Sequence, residues 1–185
     1  MKDRYYACVY GGASEKISDK HKNEIEKLGK IIADKGFSLV YGAGATGCMG
    51  AVARGTQENG GHVMGVIPYF MENFEKIYPC DNLVMVETMD ERKAIMEEHA
   101  DLFIIAPGGV GTMDEFFQVL TFKILGRMNQ PLLILNLDGF YDKLLAFIDS
   151  MIEGGALDPR VHGQFDVLKS VEEVGAFLDK KEEQN

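Results

Sequence analysis

No stretch of this chain approaches the roughly 20 consecutive apolar residues that a membrane-spanning helix requires, so a membrane partner is not expected. Cysteine is scarce: Cys8, Cys48 and Cys80 lie far apart and form no Cys-x-x-Cys pair. No apolar leader follows Met1-Lys2-Asp3-Arg4. These features together lead us to expect a reduced, cytoplasmic protein. The four histidines show no metal-ligand spacing, neither HExxH nor a Cys/His cluster. Glu97, Glu98, His99 and Asp101 read as a solvated helix end, and no metal is expected. Positive charge is also in short supply, with 19 Lys and Arg against 29 Asp and Glu for a net charge of -10. Such a field repels a nucleic-acid backbone, so a free nucleotide suits this chain better than a polymer. No linker, repeat or low-complexity segment divides the 185 residues, 46% of them hydrophobic. One domain over 1–185 is therefore expected, with residues 180–185 as a solvated tail.

What is present is an alternation of strand and helix signals, repeated about seven times. The stretch 5–10 is aromatic and β-branched and reads as a first strand, ended by Gly11-Gly12-Ala13-Ser14. A helix over about 19–35 sets Ile25, Leu28, Ile31 and Ile32 at helical spacing and stops at Gly36. Further strands are expected at 38–41, 62–67, 83–86, 102–106, 131–136 and 165–168. Helices are expected at about 49–59, 88–100, 113–125, 141–153 and from 170 onward. Residues 69–82 form an irregular polar-aromatic segment. The pattern predicts the α/β class: a doubly wound, Rossmann-like parallel sheet of about six or seven strands with helices on both faces. Ligands of such sheets bind outside the carboxyl ends of the strands, near the switch in strand order.

The most informative stretch is 102–115. Five apolar residues, Leu102 to Ala106, are stopped by Pro107, Gly108, Gly109 and Gly111, and Thr112 is expected to open a helix. A strand, a glycine loop and a helix N-terminus form an anion site, because backbone N–H groups can approach a phosphate there. Asp114 and Glu115 in the expected first turn are out of place if only phosphate binds. They make sense if the phosphate anchors a substrate and a carboxylate does chemistry. Thr112-x-x-Glu115 also fits a capping box, as do Thr88-x-x-Glu91 and Ser170-x-x-Glu173, so the spacing alone does not establish catalysis. Three glycines among four positions weigh toward a ligand, since a structural turn needs about one.

Gly42-x-Gly44-x-x-Gly47 matches a dinucleotide fingerprint, but in the second strand–helix turn. The next strand ends Gly65-Val66-Ile67-Pro68, without the carboxylate that holds ribose hydroxyls, which argues against NAD. Arg92-Lys93 sits in the first turns of the helix after the fourth strand, where cations oppose the helix dipole. A solvated pair is one reading. The other is that both cations face Glu115 across adjacent strand ends about 4.8 Å apart.

The chain at this point resembles a known family. Pro107-Gly108-Gly109-Val110-Gly111-Thr112-Met113-Asp114-Glu115 fits the PGGxGTxxE motif of the LONELY GUY (LOG) proteins, and Met89-Asp90-Glu91-Arg92-Lys93 resembles their MxxRK motif. Motif order, the spacing between motifs and chain length are similar too. The resemblance implies a phosphoribohydrolase acting on cytokinin nucleoside 5′-monophosphates or AMP, working as a homodimer without a cofactor. It gives Arg92 and Glu115 the catalytic places and the Gly108 to Thr112 loop, Val110 included, the phosphate. Gly11, Gly12 and Ser14 would line the nucleotide pocket, and Lys93, Met89, Gly44, Met113, Asp114 and Thr121 complete the implied substrate contacts. Ala43 and Cys48 depart from the family pattern, which often has Gly and Leu there. Glu72 and Glu75 are both candidates for an acidic residue near the base.

The older family label, lysine decarboxylase, fails on chemistry, since nothing marks a lysine for a pyridoxal phosphate Schiff base. A non-catalytic nucleotide carrier or sensor on the same fold is the alternative reading. Finally, the 116–125 helix is apolar around most of its circumference, which predicts burial beyond its sheet side and a homodimer interface there.

Overall fold

The computed structural model describes residues 4–182. Seven strands form one parallel sheet: β1 (Tyr6–Tyr10), β2 (Ser38–Tyr41), β3 (Val63–Pro68), β4 (Asn82–Val86), β5 (Leu102–Ile105), β6 (Leu132–Leu135) and β7 (Asp166–Leu168). Six α-helices connect or follow them: α1 (Asp19–Asp34), α2 (Gly47–Glu58), α3 (Met89–His99), α4 (Val110–Ile124), α5 (Asp142–Glu153) and α6 (Val171–Glu182). Since α6 reaches Glu182, the start of the expected tail is helical, and 183–185 lie outside the described residues.

The strands are buried on both faces, as their unbroken apolar runs require. Alternate residues point to opposite sides. Ala7, Val9, Leu39, Tyr41, Ile104 and Leu133 pack with α1, α2 and α6. Cys8, Tyr10, Val40, Phe103, Ile105 and Ile134 pack with α3, α4 and α5. Local signals set the helix ends. Ser18 accepts a hydrogen bond from the His21 N–H (3.2 Å) at the start of α1, and Gly36 (φ 71°) ends it.

The strand order is β4-β3-β2-β1-β5-β6-β7. The chain winds outward from β1 to β4 and then returns to the centre, so the order switches between β1 and β5. Tyr10 pairs with Ile105 there, and the glycine turn after β1 faces the glycine loop after β5. This corrects the expectation that the fourth and fifth strands are neighbours: β3, β2 and β1 separate them. Arg92 and Lys93 reach the centre because α3 crosses the sheet from its edge to β5.

A second correction concerns α4. It starts at Val110 with Gly109 as its N-cap, so Thr112 does not open it and makes no capping bond. The box does form at α3, where Thr88 and Glu91 exchange both bonds. The box spacing at 112–115 is therefore a coincidence, and Glu115 has no capping task.

Ala43 lies at φ 63°, in the left-handed region that favours glycine. It is fully buried, and its carbonyl accepts from the Tyr78 N–H (2.9 Å), so the conformation is held from both sides.

Candidate active site

A cleft of about 490 Å³ opens at the carboxyl ends of the central strands. Gly11, Gly12, Ala13, Ser14 and Ile17 line it from the β1 side, and Gly108, Gly109, Gly111, Thr112 and Glu115 from the β5 side. Met49, Met71, Glu75, Met89, Arg92 and Phe140 complete the wall.

The glycine loop after β5 is braced from below. The Gly12 N–H donates to the Pro107 carbonyl (3.0 Å), and the Tyr141 hydroxyl donates to the Ala106 carbonyl (2.6 Å). Gly108 is forced by packing, because a Cβ there would collide with Oγ1 of the buried Thr112. Gly109 and Gly111 differ: a Cβ at either would meet nothing within 4 Å, and neither has a positive φ. Packing against neighbouring atoms makes no demand for glycine at these two positions.

Arg92 is 5% exposed. Its Nε donates to the Val66 carbonyl at 3.1 Å and its Nη2 to the Gly42 carbonyl at 3.0 Å. Glycine is needed at 42 for this reason, since a Cβ would overlap Nη2. Nη1 lies 4.0 Å from the sulfurs of Met71 and Met89, two cleft residues. Among the described residues no carboxylate lies within ion-pair distance of Arg92. A buried cation held only by carbonyls keeps much of its field for the cleft.

Glu115 is 8% exposed and has no hydrogen-bond partner among the described residues. Its pKa is pushed up to about 7, chiefly by burial, against the pull of Arg92 and Lys93. Asp114 and Glu75 add to the rise. A carboxylate in a helix first turn would be held in its ionised form by the helix dipole, and Glu115 is not so placed. Glu115 is the sixth residue of α4, beyond the first turn where the dipole acts, and desolvation dominates. A carboxyl titrating near neutrality is suited to move protons at physiological pH.

Lys93 is 7% exposed and does not line the cleft. Its Nζ bonds Asp114 Oδ2 at 2.9 Å, tying α3 to α4 directly behind Glu115. A second tie runs from Gln118 Nε2 to Glu97 Oε1 at 2.6 Å.

The other implied contacts divide in space. Gly11, Gly12, Ser14 and Met89 reach the cleft. Gly44 stands behind Met49, whose Cε a Cβ at 44 would crowd. Val110, Met113, Asp114 and Thr121 line a different hollow, on the outer side of α4, with Asp90, Phe117, Gln118 and Phe122. Thr121 Oγ1 donates to the Phe117 carbonyl (2.7 Å). Of the two acidic candidates, Glu75 lines the cleft and Glu72 is exposed outside it. Glu75 Oε2 is buried without a partner, and burial raises its pKa against the pull of Arg92. Sequence reasoning missed Ile17, Met49, Met71 and Phe140. Only the strand order, which sets the β6 end beside β5, marks Phe140.

Fold and site define a Rossmann-like α/β protein with a glycine loop, a carboxyl group and a guanidinium in one cleft at the carboxyl ends of its central strands. A family model described as "Possible lysine decarboxylase" matches residues 49–178. The rice protein "Cytokinin riboside 5'-monophosphate phosphoribohydrolase LOG" is 40% identical over 149 residues, 80% of this chain and 62% of that protein. This chain thus spans less than two thirds of that relative's length. A second rice relative, the probable phosphoribohydrolase LOGL3, is 36% identical over 95% of this chain and 82% of its own length. The chain belongs to the LOG family. Among solved structures, a molybdenum cofactor carrier protein from Chlamydomonas reinhardtii superposes with a TM-score of 0.73. It covers 96% of this chain and 97% of that one at 21% identity, a likeness of fold.

Proposed function

We propose that this protein hydrolyses the N-glycosidic bond of adenine-type nucleoside 5′-monophosphates, bare or N6-modified, to free base and ribose 5-phosphate. The carrying observation is Glu115, a buried carboxyl group without a partner that shares one cleft with Arg92 and an open glycine loop. Family membership supports the reading, since the two rice relatives are named for this activity.

The 5′-phosphate sits on the N–H groups of the loop and the α4 N-terminus. Its binding energy fixes the sugar against Glu115. Cleavage of the C1′–N bond leaves positive charge on the ribose. Ionised Glu115 stabilises that charge and accepts a proton from the water whose oxygen bonds C1′. The base departs with the bonding electron pair and takes up a proton. Arg92, which makes no direct bond to Glu115, assists the departing base, its fork already set by Gly42 and Val66. Met49, Met71 and Met89 offer an adaptable apolar wall at the Arg92 end, suited to the base and an apolar N6 substituent.

Incubation with AMP and with N6-prenylated AMP, followed by chromatography, is expected to yield free base from both. Bound but intact nucleotide would instead favour the carrier reading. A carrier has little use for an unpartnered carboxyl group beside a phosphate.

The chemistry fixes the pH dependence. If the carboxylate is the working form, kcat/KM falls about tenfold per pH unit below pH 7 and levels off above it. A flat profile between pH 5 and pH 8 would contradict this role.

The outer side of α4 supports the homodimer. Val110 is 87%, Ile124 45% and Leu125 64% exposed, and Met113, Phe117 and Phe122 are half-buried beside them. A helix covered by one sheet leaves such a strip for a second copy. Light scattering at micromolar concentration is expected to report a dimer, and a monomer counts against it.

A further inference from the structure

The loop after β6 carries more structure than a connection needs. Asn136 is 7% exposed: its Oδ1 accepts from the Tyr141 N–H (2.7 Å), and its Nδ2 donates to Asp142 (2.8 Å). Asp138 lies at φ 50°, a left-handed conformation that aspartate adopts more readily than most non-glycine residues. Two groups of α1 hold it there: Lys20 at 2.7 Å and His21 at 3.3 Å. Tyr141 reaches under the loop to brace Ala106, the root of the anion loop.

This scaffold presents one side chain to the cleft. Phe140 is 43% exposed although large and apolar. Its ring stands edge-on to Tyr141 (4.8 Å between centroids, 87°) and to His21 (5.9 Å, 85°), so its place at the rim is defined.

Strand order gives the ring's position along the cleft. Across β3-β2-β1-β5-β6 the wall passes from Arg92, Met71 and Glu75 to the turn after β1, then the anion loop, then Phe140. The base belongs at the Arg92 end and the 5′-phosphate on the anion loop. Phe140 therefore stands beyond the phosphate, where a second phosphate group would extend. A β-phosphate would meet an apolar ring backed by Asp138 and Asp142, while Lys20 is already paired to Asp138. Specificity often comes from such an element placed against the wrong ligand.

We propose that Phe140 is a specificity-determining residue that closes the phosphate end of the cleft and restricts it to nucleoside monophosphates. The proposal rests on the nucleotide reading of the site but not on turnover.

Calorimetric titration with AMP and with ADP, without divalent cations, tests it with the wild-type residue at 140, Phe140→Ala and Phe140→Leu, all three in a Glu115→Gln background so that AMP survives the titration. The wild type is expected to bind AMP at least about tenfold more tightly than ADP, the range one well-placed side chain supplies. Phe140→Ala is expected to bring that ratio below about threefold, and Phe140→Leu, which keeps bulk, to retain most of it. An unchanged ratio in Phe140→Ala, or equal binding of both nucleotides by the wild type, overturns the proposal. Absence of base release from AMP would remove the hydrolase reading and leave this ratio to decide on Phe140. Base release with an unchanged ratio would remove only the role of Phe140.

Discussion

Glu115→Gln is expected to lower turnover at least ~100-fold while leaving the fold intact. The substitution keeps shape and removes the proton-accepting oxygen. Its effect on stability separates a chemical role from a structural one. Glu115 titrates at about 7 in the folded state, against roughly 4.3 when unfolded. A carboxyl group raised by folding is no burden below its unfolded value, where it is protonated in both states. The cost grows as pH rises from the unfolded value to the folded one and is complete above it, with an upper bound of about 4 kcal/mol. The glutamine variant should therefore be more stable than wild type at pH 8 and similar near pH 4, as urea unfolding would show. A structural glutamate would behave the other way, losing stability on substitution at pH 8. Near-normal turnover in the variant would sink the catalytic assignment.

Removing the 5′-phosphate from the substrate should cost at least ~1,000-fold in kcat/KM, because remote binding energy is used at the reacting bond. The loop supports this. Gly109 and Gly111 face open space and neither has a positive φ, so side-chain packing does not call for them. A ligand lying against the backbone does, together with the N–H groups at the start of α4. Adenosine and AMP compared under identical conditions decide the matter. Equal rates on the two would refute the role of the loop.

Much of this was legible in the sequence. The buried strand at 102–105 and the glycine run after it stand where the residues indicate, while the helix that follows begins three residues before the expected 113. The pairing of the 89–93 and 107–115 motifs identifies the family. Other parts were misread for definite reasons. The Thr112–Glu115 spacing suits a capping box, yet Gly109 starts the helix, and a helix can begin at several points in a glycine-rich stretch. Arg92 and Glu115 were expected to meet across adjacent strand ends, but three strands intervene and α3 spans them. Glu72 and Glu75 were equivalent by sequence, and only the path of the 69–81 segment turns Glu75 into the cleft.

By itself the sequence determined the class of fold, the order of its elements, the glycine loop after β5 and the two charged groups that share its cleft. These follow from periodicity and turn chemistry, which reside in neighbouring residues. Tertiary structure alone decided the strand order, the carbonyl mount of Arg92, the near-neutral titration of Glu115 and the position of Phe140. Each depends on desolvation or contact between residues tens of positions apart, and no local pattern records which distant segments will exclude water from a given side chain.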